Sequence, residues 1–285
     1  MRRGDMIGIG AVVVALFGMY FWYNGASAEP RAKTMTAAMT TGSVHVQKHW
    51  SLPEELLEVS AITWAGDDRI ACIEDNDGVI YFFDVAAGRV TDQLRFTGKG
   101  DFEGLTLAGS VYYALRSDGT LFEVKPGGNE PSVKTFEGPF SSRNDCESLA
   151  YDAANNRLLV GVKEQDLTDP QRKGVYAFDL KSKTFDSKAV YYISGATEGK
   201  KKGKGTVRPS DIVLAPGGEG LYVLDGPRSL LLRTDNDGAV TQSIQLDKSL
   251  FPQPEGLCFA PNGDLYLSSE GTKKHPGTLA RVQLQ

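Results

Sequence analysis

One six-residue motif recurs five times along the chain, and nothing else in the sequence narrows its fold so far. The copies are VSAITW at 59–64, FEGLTL at 102–107, CESLAY at 146–151, PSDIVL at 209–214 and PEGLCF at 254–259. Their second residues, Ser60, Glu103, Glu147, Ser210 and Glu255, are spaced by 43, 44, 63 and 45 residues. A period in the low forties is that of four-stranded propeller blades. After each motif comes a Gly/Asp/Asn turn, such as AGDDR at 65–69 or PNGD at 261–264, and then a short apolar strand such as Leu158–Val162. A polar turn and a third strand follow, such as VIYFFDV at 79–85 or GVYAFDL at 174–180. Short strands at even spacing with turn chemistry between them predict an all-β chain. Only a turn around Pro53–Leu57 departs from this pattern.

The expected fold is therefore a β-propeller of five four-stranded blades. The last repeat has only three strands of its own. The alternating stretch SVHVQKH at 43–49 is predicted to supply the fourth, closing the ring and removing a sheet edge. A sixth blade would require a degenerate repeat. The 63-residue spacing does not hide one, because its excess of about 19 residues maps to GATEGKKKGKGTVR at 195–208, which reads as a loop.

Composition bounds the compartment and the chemistry. Lys and Arg total 31 against 36 Asp and Glu, a formal charge of −5, so a nucleic-acid binder relying on a basic surface is excluded. Three Cys and three His leave little material for a zinc site. Cys72, Cys146 and Cys258 each lie in strand-like sequence and read as buried thiols. At the N-terminus, Arg2 and Arg3 precede an uncharged run from Met6 to Tyr23 and the small-residue site Ala26-Ser27-Ala28. Residues 1–28 are thus either a cleaved signal peptide or a signal-anchor. The 18-residue apolar length and the Phe21-Trp22-Tyr23 cluster favour the anchor. Residues 29–42 read as a linker and 43–285 as the propeller. The two arginines stay inside, so the rest of the chain is expected to be exported.

EVSAITW at 58–64, EDNDGVIYFFD at 74–84, GDFEGLTL at 100–107, NDCESLAYD at 144–152 and FPQPEGLCFAPNGDLYLSSEG at 251–271 resemble the SdiA-regulated family of bacterial envelope proteins. That resemblance implies a propeller carried behind an N-terminal membrane segment, on the periplasmic side of the inner membrane. It implies no defined biochemical role. Ser210-Asp211 departs from the usual Glu-Gly, which interrupts a uniform carboxylate ring.

Two sets of residues carry the candidate chemistry. The first strand of a propeller blade lies nearest the axis, so Ser60, Glu103, Glu147, Ser210 and Glu255, with Asp211, are expected at the central channel. Carboxylates gathered there repel one another unless a cation or donors compensate, and a hard cation with oxygen ligands, Ca²⁺ above all, would suit them. The competing reading is that each Glu accepts backbone hydrogen bonds from the next blade and locks the ring. The second set falls at the ends of the second strands: Glu74, Asp75, Arg116, Lys163, Glu164, Asp225, Arg228 and Glu270. These should ring one channel mouth, where they would orient a polar ligand or pair among themselves. EDNDG at 74–78 lacks the length and closing Glu of an EF-hand and reads as a tight hairpin. The basic run Lys200, Lys201, Lys202, Lys204 and Arg208 would suit anionic lipid or an acidic partner, or is a solvated loop. No Gly-x-Ser-x-Gly elbow or triad is present.

Two function classes follow. One is a non-enzymatic envelope module that binds a small polar ligand or an envelope protein at its mouth. The other is a Ca²⁺-dependent hydrolase, since the Glu-Gly motifs and Asn-Gly or Asp-Gly turns are also similar to lactonase and phytase-like esterase propellers, with Glu103, Glu147 and Glu255 as metal ligands. One scaffold serves both.

Overall fold

The computed structural model describes residues 40–128, 130–195 and 207–285. The N-terminal segment through residue 39 and the Lys200–Lys204 run lie outside them. Two strands, Thr40–Thr41 (β1) and Val44–Ser51 (β2), precede the repeats, and a single 3-10 turn at Glu54–Leu56 occupies the stretch read as a turn. Blade 1 comprises Val59–Gly66, Arg69–Glu74, Asp77–Asp84 and Arg89–Lys99 (β3–β6). Blade 2 comprises Phe102–Ala108, Val111–Arg116, Leu121–Lys125 and Ser132–Phe136 (β7–β10). Blade 3 comprises Cys146–Asp152, Arg157–Val162, Gly174–Asp179 and Thr184–Tyr192 (β11–β14). Blade 4 comprises Pro209–Leu214, Leu221–Asp225, Leu230–Thr234 and Val240–Gln245 (β15–β18). Blade 5 has Pro254–Phe259, Leu265–Ser269 and Thr278–Leu284 (β19–β21). Within each blade the consecutive strands form an antiparallel meander, so the expected five-bladed all-β propeller is the fold observed.

The core lies between the blades. Five apolar clusters fill the five interfaces; one joins Ile73, Ile80 and Phe82 of blade 1 to Phe102, Tyr112 and Phe122 of blade 2. This explains a sequence pattern. The second and third strands of a blade face a neighbouring sheet on both sides, so β5 is buried at Gly78–Phe83 and reads as an apolar run. The outer strands fan into solvent, and β2 and β6 alternate between half-buried and exposed over most of their lengths.

The inner strands β3, β7, β11, β15 and β19 touch in sequence, and β19 returns to β3, closing the ring. Close approach demands small residues at that seam. A Cβ on Gly256 would lie 2.5 Å from Ser268 Oγ and 2.9 Å from the Ile62 nitrogen of blade 1. Strand β2 pairs antiparallel with β21, from Val44 opposite Leu284 to Ser51 opposite Thr278, and completes blade 5 as predicted. The structure adds one element. Thr40–Thr41, read from the sequence as linker, pairs parallel with β18 and gives blade 4 a fifth strand. Gly42 permits that approach, because a Cβ there would fall 2.5 Å from the Gln242 side chain.

Trp50 anchors the closing strand. Its ring stacks on Tyr266 of blade 5 and meets Phe83 of blade 1 edge-on, each at 6.3 Å between centroids. Trp50→Ala is expected to cost about 3 kcal/mol, the low end for a large aromatic truncation because the ring is half-buried. Urea unfolding checks this, and a loss below 1 kcal/mol would show that the seam does not depend on the ring.

Candidate functional site at the channel mouth

The five motif anchors share one backbone feature. In every inner strand the ladder to the second strand skips a residue, and the skipped residue is the anchor: Ser60, Glu103, Glu147, Ser210 or Glu255. A β-bulge leaves one residue unpaired and re-aims its side chain. Five bulges at one level of the ring therefore set five side chains at one end of the channel, along with the residues two positions earlier.

Those earlier residues are Glu58, Asp101, Asp145, Arg208 and Gln253, and sequence reasoning missed four of them as site residues. Arg208 was read only as part of the basic run. The signal was present in the same repeat, two places before each anchor. Asp145 adopts a left-handed backbone, with φ of 52°, a strained conformation that Asp tolerates better than most residues.

The anchors differ in what they engage. Glu147, which is buried, accepts a short ion-paired hydrogen bond on each of its two oxygens from the half-buried Lys163. Glu255 is 7 % exposed, and the neighbouring Ser210 and Gln253 side chains oppose part of the upward push that burial gives its carboxyl. Gln253 donates to Glu270. The Ser60 hydroxyl donates to the Glu58 carbonyl at 3.2 Å, and the Ser210 hydroxyl to the Pro254 carbonyl at 2.8 Å. Glu103 has no hydrogen-bond partner among the described residues, although Glu147, Asp101, Lys163 and Glu255 act on it electrostatically.

Asp211 behaves differently from the rest of its set. It is buried and accepts the Leu257 N–H of blade 5 at 2.9 Å on one oxygen and the Ile212 N–H at 2.8 Å on the other. This residue matches the blade-locking reading. It stands where Glu-Gly motifs have Gly, and its carboxylate satisfies one backbone donor of its own strand and one of the next blade.

The second set divides. Glu74 accepts the Asn76 N–H at 3.1 Å and the Asp77 N–H, capping its own turn. Arg116 is tied back to Asp118 at 2.6 Å and to Thr120, so its guanidinium serves its own hairpin. Glu164 pairs with Arg208, which links blade 3 to the start of blade 4. Asp225 is fully buried and pairs with Arg228, which lies in a 3-10 turn at Gly226–Arg228, while its other oxygen has no hydrogen-bond partner among the described residues. Lys163 and Glu270 join the anchors electrostatically, and Asp75 joins Glu58 and Asp101 in the row two positions earlier.

Burial and mutual repulsion raise the proton affinity of this cluster. Burial, then Glu147 and Asp101, push the Glu103 carboxyl up to about 10. Burial, then Glu255, Asp75 and Glu58, push Glu270 up to about 8. Burial and Glu58 carry Asp75 to about 6. Burial opposes the Lys163 charge, but Glu147 and Glu255 outweigh it, so the ammonium persists above its ordinary range. Burial likewise outweighs the ion pair at Glu147, whose carboxyl rises to about 8. The mouth thus holds protons on carboxyl groups at neutral pH while keeping one ammonium charged.

Among the described residues no three Asp, Glu, His or Cys side chains are grouped so as to hold a metal ion. The expected calcium set is largely engaged elsewhere, Glu147 by Lys163, both serines by backbone carbonyls and Asp211 by backbone N–H groups. A resident calcium cage does not fit these residues as they stand. The three cysteines are free and buried, as expected. No helix among the described residues is long and apolar enough to cross a membrane.

The model of the SdiA-regulated family matches residues 44–273. No curated protein matches the sequence. Among solved structures, a glutaminyl cyclase from Myxococcus xanthus superposes with a TM-score of 0.60 at 16% identity, over 87% of this chain and 98% of that one. A luciferin-regenerating enzyme superposes with a TM-score of 0.51 at 11% identity, over 85% of this chain and 95% of that one. At these identities the likeness is one of fold.

Proposed function

The chain belongs to the SdiA-regulated family, and on that footing we propose that it is an exported propeller, tethered at the periplasmic side of a bacterial inner membrane, that binds a small cationic polar ligand at its acidic channel mouth. One observation carries the reading. Five bulges and the residues two positions before them gather more carboxyl groups than cations, and Glu103, Glu255 and Glu270 have no salt-bridge partner among the described residues. A ligand bringing positive charge would relieve the repulsion that raises these carboxyls. The export and tether rest on the N-terminal apolar run and the family resemblance. An amine-bearing ligand suits the site better than bare Ca²⁺, because Lys163 already holds Glu147 and Gln253 holds Glu270, and no three carboxyls among the described residues are grouped as a cage.

Calorimetric titration of the purified protein with spermidine, and separately with CaCl₂, tests this. Spermidine is expected to bind saturably, more weakly at high salt, and at least tenfold more weakly to Glu255→Gln. Binding also raises the melting temperature; saturation at 100 times Kd adds about 2.7 kcal/mol. Stoichiometric Ca²⁺ binding with a large EDTA-sensitive melt shift, and no response to spermidine, would replace the amine with calcium. No response to either would sink the cationic-ligand reading.

A second reading draws on Glu103. A carboxyl held protonated at neutral pH beside ionisable neighbours is the arrangement of a general acid, and both structural neighbours named above are enzymes. Lactone and phosphoester hydrolysis that disappears in Glu103→Gln would support it.

A further inference from the structure

The other end of the inner strands holds a cavity of about 310 Å³ with a different chemistry. Ile62, Leu105, Leu149, Ile212 and Leu257, two residues beyond the bulged anchors, form a buried apolar belt, each 1–3 % exposed. Two residues further on, Trp64, Leu107, Tyr151 and Phe259 line the same cavity and remain half-buried. No charged residue lines it. Each of the four also packs against an interface cluster, Trp64 on Tyr266 at 5.8 Å and Phe259 on Tyr222 at 5.4 Å between centroids, so the partly open faces they turn to the cavity are held in place.

The inner strands also bring polarity without charge. Each is the terminal strand of its sheet, so one backbone edge of every inner strand is unpaired by a neighbouring strand and faces the axis. Thr63 and Thr106 add hydroxyls to the lining. Small-molecule sites combine an apolar, aromatic wall with a few hydrogen-bonding groups, in volumes from about 300 Å³ upward. We infer that this cavity is a second binding site, separate from the acidic mouth, for a small neutral aromatic molecule carrying one hydroxyl. Its volume, at the lower end of that range, sets the size of the ligand. The absence of lining charge sets neutrality, the three aromatic side chains select an aromatic body, and the free strand edges serve the hydroxyl.

The probe is 2-naphthol, neutral at pH 7, followed by calorimetry and by quenching of Trp64 fluorescence in the full chain. One molecule is expected to bind saturably. Leu107→Asp is expected to weaken binding at least tenfold, with far-ultraviolet circular dichroism confirming the fold. Val213→Glu, at another half-buried lining position, serves as the second variant should Leu107→Asp not fold. Spermidine at saturation is expected to leave the naphthol isotherm in place. No saturable binding to the folded protein, undiminished binding to a folded lining variant, or displacement by spermidine would each overturn the assignment. Because the cavity and the mouth are probed by different ligands, either site can fail without the other.

Discussion

Lys163→Met is expected to lower the melting temperature by roughly 6–20 °C at pH 9. Glu147 is buried and Lys163 is mostly covered, with side chains 6% and 14% exposed, and each is the other's counter-ion. Removing one member of a buried pair leaves an uncompensated charge and costs about 3–5 kcal/mol. A domain of this size loses about 2–4 °C for each kcal/mol. The loss should be smaller at pH 6, because the Glu147 carboxyl already binds a proton up to about 8 and neutralises itself when the ammonium is gone. Replacing both partners, Lys163→Met with Glu147→Leu, should recover most of the stability, since an apolar pair of similar volume carries no desolvation cost. Thermal melts of the two variants at pH 6 and 9 check this. A double variant as unstable as the single one would show that the pair holds the blade by shape rather than charge.

The second large effect is a fall in stability as pH rises. Glu103 carries its proton up to about 10 in the folded protein, against about 4.5 for an ordinary Glu. Between those values the unfolded chain has released the proton while the folded chain still binds it. Linkage then makes stability decline with rising pH across the window, from none of the loss below about 4.5 to all of it above about 10. Glu270, raised to about 8, adds to the decline in the lower part of the window. The melting temperature should therefore fall steadily from pH 6 to 9.5. Glu103→Gln, which keeps the shape without the titrating group, should flatten the slope and melt higher than the natural chain at pH 9.5. A slope unchanged in that variant would mean that the Glu103 carboxyl is hydrated and titrates normally.

The glutamine also separates stability from function. If the mouth binds cationic ligands, Glu103→Gln weakens spermidine binding most at high pH, where the natural carboxyl begins to ionise. If the mouth is catalytic, the same variant loses turnover while gaining stability. The two measurements share one protein and point to different roles for the same side chain.

Fold was written into local pattern. The motif that recurs near 44 residues, the turns that follow it and the alternation of residues 43–49 were sufficient to define five blades, their strand order and the closing strand. This is because each blade is built from neighbours in sequence, joined by short antiparallel turns, so its register is decided locally. The anchors Ser60, Glu103, Glu147, Ser210 and Glu255 were visible for the same reason, and so, in retrospect, was the ring of Glu58, Asp101, Asp145, Arg208 and Gln253 two places ahead.

What each anchor does was decided only by the closed ring. That Glu147 pairs with Lys163 while Glu103 has no such partner depends on distances across the channel, between blades far apart in the chain. Asp211 became a lock because a backbone donor of blade 5 reaches it across the blade interface, and Arg116 left the mouth because Asp118 holds it in its own turn. Thr40–Thr41 gained a partner in β18 only once blades 4 and 5 stood side by side. Periodicity records what a residue does along the chain. Burial, proton affinity and ion pairing arise from what five repeats bring together around one axis.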